Sequence, residues 1–184
     1  MKKFSPIFVA LVAFASSSFA QDRSSLGIGV GGGAYLPTNS KTKRLLGNTW
    51  LSFSLSPTRL ASKKDFSVDS DLHFIGRDKN GNRLFMAFYT VGVSTPLGSS
   101  NPGVKQAFKP YAALRVGPAY LDYRITDGGV TRKKKRLGWN GNVELGADLS
   151  DNVRVAFRYD TISKFDGFNF DGFSAHVIFK LGRL

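Results

Sequence analysis

The feature that most constrains the fold of this chain is a period-two alternation of apolar and polar residues that recurs along nearly all of it. Between Arg136 and Thr161, the odd positions hold Leu137, Trp139, Val143, Leu145, Ala147 and Leu149. The even positions hold Gly138, Asn140, Asn142, Glu144, Gly146 and Asp148. After Ser150-Asp151-Asn152 the pattern restarts, with Val153, Val155, Phe157 and Tyr159 against Arg154, Arg158 and Asp160. Successive side chains of a strand point to opposite faces, so each stretch is a strand with one apolar and one polar face. No segment shows a convincing helical period.

Eight strands are expected. Besides the two above they are Leu26–Leu36, Gly47–Ser56, Phe66–Gly76, Arg83–Thr95, Phe108–Ile125 and Phe173–Gly182. Arg83–Thr95 is apolar on both faces until Thr90, which leaves its facing open. Gly117-Pro118 inside the fifth strand reads as a bulge or bend, because proline cannot donate to a ladder. The connections, among them "RDKNGNR", "TDGGVTRKKK" and "SDN", carry turn chemistry. Regular strands joined by Gly, Asn, Asp and Pro predict an antiparallel up-and-down barrel or a sandwich.

The N-terminus sets the compartment. Lys2-Lys3, a short apolar run from Ile7 to Ala15, and Ser18-Phe19-Ala20 read as a bacterial secretory leader, residues 1–20, cleaved before Gln21. What remains of the 184 residues, 21–184, is about one domain. The chain has no cysteine, so a disulfide framework and a lipoprotein anchor are excluded. Apart from the leader, no apolar run is long enough for a membrane helix, so any crossing must be made by strands. The formal net charge of +13, only two of it from the leader, points to anionic partners. Export argues against nucleic acid, and "RKKKR" (Arg132 to Arg136) lacks the stacking aromatics such a role needs.

Which face is the inside decides between a soluble barrel and one turned outward into lipid. The polar face carries small residues, among them Gly29, Gly31, Gly33, Ser52, Ser54 and Gly146, as a narrow eight-stranded interior requires. Its charges come in both signs: Asp69, Asp71, His73, Glu144, Asp148, Arg154, Arg158, Asp160, His176 and Lys180. Such a set can pair across strands, the condition for burying charge. Tyr35, Trp50, Phe66, Phe74, Phe85, Phe108, Tyr120, Tyr123, Trp139 and Phe173 lie near strand ends, where interfacial girdles form. The apolar faces carry no charge, as a lipid face requires. The expectation is an all-β, eight-stranded antiparallel up-and-down transmembrane β-barrel.

From "LGIGVGGGAYLP" to "FSAHVIFKLG" the sequence resembles the small eight-stranded outer-membrane barrels of the OmpA/OmpX/OmpW type. It departs from them at its last residue, Leu184, where they often carry an aromatic. The resemblance implies the bacterial outer membrane, periplasmic termini, and outer segments at 37–46, 77–83, 126–135 and 163–172. Lys41, Lys43, Arg44, Arg77, Lys79, Arg132, Lys133, Lys134, Lys135 and Arg136 would then be basic outer loops. Their partners would be outer-membrane lipid, lipopolysaccharide or another anionic surface ligand.

Catalytic readings are weaker. Some small outer-membrane barrels modify lipid A, yet Ser174 and His176 are two apart on a strand, ~6.6 Å of rise, too far for a direct dyad. Asp69, Asp71 and His73 spread over ~13 Å of strand and hold no metal by themselves. The expectation is a monomer with no enzyme activity, cofactor or large pore, serving a structural or surface role. The principal alternative is a soluble periplasmic or secreted barrel binding an apolar ligand among Val143, Leu145 and Phe157.

Overall fold

The computed structural model describes residues 28–62, 66–98 and 108–181, with the side chains of residue 28 and of 56–62 excepted. The leader at 1–20 and the terminal Leu184 lie outside them. Eight strands alternate up and down: β1 (Ile28–Pro37), β2 (Trp50–Ser62), β3 (Ser67–Lys79), β4 (Asn82–Pro96), β5 (Lys109–Asp127), β6 (Val130–Asp148), β7 (Val153–Ile162) and β8 (Gly172–Leu181). Each pairs antiparallel with the next, and β8 closes on β1, Ile28 opposite Leu181 and Pro37 opposite Gly172. Closure leaves no edge strand, the condition for a sheet to cross lipid.

The facing follows the alternation. Leu137, Trp139, Val143, Leu145 and Phe157 point outward and are more than half exposed, whereas Asn140, Asn142, Glu144, Arg158 and Asp160 are buried inside. The soluble alternative is overturned, because Val143, Leu145 and Phe157 line the outer wall rather than a cavity. β4, whose facing the sequence left open, turns Leu84, Met86, Phe88 and Thr90 inward.

Several expectations need correction. Tyr35, Trp50 and Tyr123 belong to no girdle; all three are buried inside the barrel. Trp50 shares its parity with Ser52 and Ser54, and parity decides the face. The ladder of β5 with β6 runs unbroken through Gly117-Pro118, and on the β4 side two pairs are missing without a change of register. The bulges lie instead in β2, between Leu55 and Thr58 and between Arg59 and Ala61. Two expected outer loops are mostly strand. β3 passes to β4 through Asn80-Gly81 alone, and β5 to β6 through Gly128-Gly129 alone. All four residues have positive φ, as the two-residue hairpin turns that match strand twist require. Arg77, Lys79 and the whole of Arg132 to Arg136 therefore lie on strands.

A short helix, α1 (Ser40–Leu46), was also unforeseen. Asn39 caps it, its side chain accepting from the amide of Thr42 at 3.1 Å. Arg77 donates to the Leu46 carbonyl at 2.8 Å and Asn82 to that of Leu45 at 3.1 Å, which satisfies the orphan carbonyls of its last turn.

The lumen has two layers. Toward the turn end, Tyr35, Leu46, Trp50, Ile75, Leu84, Met86, Phe88, Leu121, Tyr123, Ile125, Phe168 and Phe170 form one apolar cluster. The Tyr35 hydroxyl donates to the Phe170 carbonyl at 2.5 Å and that of Thr42 to the Asn169 carbonyl at 2.7 Å, so α1 and the 163–171 segment close this mouth together. A wholly polar lumen was expected; its upper half is apolar because these side chains meet neither lipid nor water. Toward the terminal end the fill is ionic.

Candidate functional site: an ionic lumen below a basic rim

The ionic layer is built by β3, β5, β6 and β7. Arg158 donates to Glu144 from Nε at 2.9 Å and Nη2 at 2.6 Å, and to Asp71 from Nη1 at 2.6 Å. Arg115 donates from Nε to Asp69 at 2.6 Å, and its Nη1 lies 3.3 Å from Glu144 without hydrogen-bond geometry. Hydroxyls complete the carboxylate shells: Ser54 donates to Asp71 at 2.9 Å, Ser94 to Asp69 at 2.8 Å and Tyr111 to Glu144 at 2.8 Å. Tyr111 fits because Gly146 lies beneath it; a Cβ there would stand 2.6 Å from its ring. Three acids and two arginines thus share one buried lattice, the arrangement that makes buried charge tolerable.

Nine of the ten luminal residues singled out by sequence divide into three groups, and the tenth, His176, lies against Ser52. Asp69, Asp71, His73, Glu144 and Arg158 meet in this lattice. Asp148, Arg154 and Lys180 form a separate pair of bridges at the terminal mouth, with Arg154–Asp148 at 2.7 Å and Lys180–Asp148 at 2.8 Å. Asp160 joins neither; its Oδ1 accepts from Asn140 at 3.1 Å and its Oδ2 has no hydrogen-bond partner among the described residues. Arg115 was missed. It is the sole charge in Tyr111–Leu121, but apolar residues of both parities around it hid its facing.

His73 and His176 flank Ser52, whose Oγ lies 2.6 Å from His73 Nε2 and 2.5 Å from His176 Nε2. Arg158 Nη1 approaches His73 Nδ1 at 3.2 Å, and a guanidinium only donates. Nδ1 of His73 must then accept, and its protonated Nε2 donates to Ser52, which donates onward to His176. His73 therefore cannot take the serine proton. His176 accepts it with no partner at Nδ1 among the described residues to orient the ring, and Ser52 is buried. Ser174 Oγ has no hydrogen-bond partner among the described residues, so Ser174 and His176 make no dyad. Among the described residues no group of three His, Cys, Asp or Glu is placed to hold a metal ion.

The basic residues gather at the turn end on rigid elements. Lys41 and Arg44 reach from α1 to Asp127 at 2.9 and 3.3 Å. These contacts, the Lys41 hydrogen bond first, hold the Asp127 carboxyl below its ordinary range. Arg136 pairs with Asp166 at 3.3 Å, and Tyr123 also donates to that carboxylate. Lys41 and Arg132 lie over the Phe168 ring, at 4.9 and 5.9 Å from its centroid. Lys43, Lys79, Lys133, Lys134 and Lys135 make no salt bridge among the described residues.

Over residues 7–180 the sequence matches the family described as "Outer membrane protein beta-barrel domain". No curated protein matches the chain. Among solved structures, the N-terminal β-barrel domain of Pseudomonas aeruginosa OprF superposes with a TM-score of 0.57 at 12% identity, covering 85% of this chain and 98% of that one. Ail, the attachment invasion locus protein of Yersinia pestis, gives 0.53 at 14%, covering 85% and 95%. It has also been solved in complex with the heparin analogue sucrose octasulfate. The outer membrane enzyme PagL gives 0.50 at 10%, covering 84% and 98%. At these identities the likeness shows the fold alone.

Proposed function

The chain belongs to the outer membrane protein β-barrel family and resides in the bacterial outer membrane, and from that premise we propose that it is a non-catalytic barrel presenting a rigid basic rim to an anionic surface ligand. A leader spanning residues 1–20 would deliver it, and the turn end would face outward. The observation that carries the reading is the charge imbalance at that end. Among the described residues Asp127 and Asp166 form salt bridges with Lys41, Arg44 and Arg136, while Lys43, Lys79 and Lys134 form none on helix and strand. With the backbone already held in helix and strand, binding has only the lysine side chains left to order. The complex of Ail with a heparin analogue supports a polyanion as the ligand class. The filled lumen supports a role without a large pore, and the burial of Ser52 beside a His176 whose Nδ1 has no partner among the described residues speaks against acyl transfer.

The test is binding of a heparin-type sulfated polysaccharide to the refolded chain at several salt concentrations. The variant Lys43→Gln/Lys79→Gln/Lys134→Gln should bind about tenfold or more weakly, with a shallower salt dependence. Equal binding by variant and wild type would remove the rim from the account.

A further inference from the structure

A second group of cations faces sideways rather than upward. The registers place Asp78 opposite Arg83, Arg83 opposite Arg124, and Arg124 opposite Lys133, in one row across β3, β4, β5 and β6. Arg83, Arg124 and Lys133 share the outward parity of their strands and are exposed. No salt bridge among the described residues involves any of the three. Like charges directly opposite each other weaken a sheet. Three in register, with neighbouring strands ~5 Å apart, span about 10 Å of wall.

The depth of the row is defined by what lies below it. On β5 the outward positions Pro110, Ala112, Leu114, Val116, Pro118 and Tyr120 carry no charge, and Asp122 and Arg124 follow. Ten residues of strand rise ~33 Å, or ~25 Å of height at a tilt near 40°, the height of an outer-membrane apolar band. On the neighbouring strands Phe85, Leu137 and Trp139 are exposed at the top of that band. Arg83, Arg124 and Lys133 therefore stand ~5–10 Å above the hydrocarbon edge, within the headgroup layer.

We infer that Arg83, Arg124 and Lys133 form a lateral binding site for the phosphate of a phosphorylated outer-leaflet lipid, whose acyl chains lie on Phe85, Leu137 and Trp139. Two guanidiniums side by side can each chelate phosphate oxygens, and Lys133 adds a point charge at the edge. The lipid phosphate would neutralise a row whose one carboxylate, Asp78 at the Arg83 end, makes no salt bridge among the described residues. The site is separate from the upward-facing rim and shares with it only the orientation of the barrel.

The experiment titrates the full refolded chain in detergent with a phosphorylated glucosamine-disaccharide lipid, with the same lipid dephosphorylated, and with inorganic phosphate as competitor. Arg83→Gln/Arg124→Gln/Lys133→Gln should weaken binding of the phosphorylated lipid at least tenfold. The rim variant Lys43→Gln/Lys79→Gln/Lys134→Gln removes the same charge and should change it less than twofold. Dephosphorylated lipid should bind wild type as weakly as the phosphorylated lipid binds the row variant. The single variant Arg124→Gln, at the centre of the row, should show most of the loss if the triple variant refolds poorly. Equal losses in the two triple variants would overturn the site in favour of bulk charge, as would undiminished binding of the dephosphorylated lipid. Displacement by inorganic phosphate at concentrations comparable to the lipid's would assign the row to a free anion and overturn the lipid. Polysaccharide binding measured on the same variants separates the outcomes, since the row variant should retain it.

Discussion

Arg158 is the residue on which the lower lumen depends. It serves Glu144 and Asp71 at once, from the strand opposite the latter's, and both acids are buried. Arg158→Met should cost about 3–5 kcal/mol, the usual result of leaving a buried charge unpaired. Denaturant unfolding of the detergent-refolded protein measures it. Arg158→Met/Glu144→Gln should recover part of the loss, whereas equal stability of wild type and Arg158→Met would mean the acids find other partners. The sequence made much of this lattice legible, since alternate positions on β3, β6 and β7 carry opposite charges in complementary order. Arg115 was hidden because β5 is apolar on both parities around it. Tyr35, Trp50 and Tyr123 misled for a different reason: an aromatic near a strand end suits a girdle or a plug equally, and only parity with Ser52 or Gly33 distinguishes them.

At the scale of elements, the turn end is held by a clamp between α1 and the β5–β6 hairpin. Lys41 and Arg44 hold Asp127, and with its carboxyl depressed in the folded state the clamp is fully formed above the ordinary carboxylate range. It should be lost as the pH falls through the folded value, which lies below the ordinary carboxylate range. Asp127→Asn should reproduce that loss at neutral pH. Hydrogen-exchange protection of the α1 amides, taken relative to the intrinsic exchange rate at each pH, is the readout, and it should fall for Asp127→Asn at pH 7 and for wild type acidified through the folded value. Unchanged protection in both would show that Thr42 and Arg77 hold α1 unaided. A seven-residue helix is too short to show a period, so only the capping residue Asn39 could have announced it. The hairpins were legible as turns from "NG" and "GG", but their two-residue length was not. That length carries Arg132 to Arg136 onto a strand and so sets three cations in register.

The whole molecule is a closed ladder between two solvents, and its exterior was the most legible part of the sequence. Lipid tolerates no charge, and this requirement leaves uncharged rows ~25 Å tall that no soluble barrel needs on its outside. The interior was less legible because its demand is only that it be filled. Ion pairs meet that demand below, and a helix, a folded-in segment and aromatic side chains meet it above. The chain contains two tryptophans, and the structure sets them on opposite sides of the wall: Trp50 is 1% exposed inside the plug, and Trp139 is 66% exposed on the outer face. The decisive measurement is fluorescence of Trp50→Phe and Trp139→Phe refolded into bilayers with brominated acyl chains. The protein retaining Trp139 should be strongly quenched and the one retaining Trp50 should not. Quenching of Trp50, or a Trp139 that brominated lipid leaves bright, would contradict the assignment of inside and outside on which the account stands.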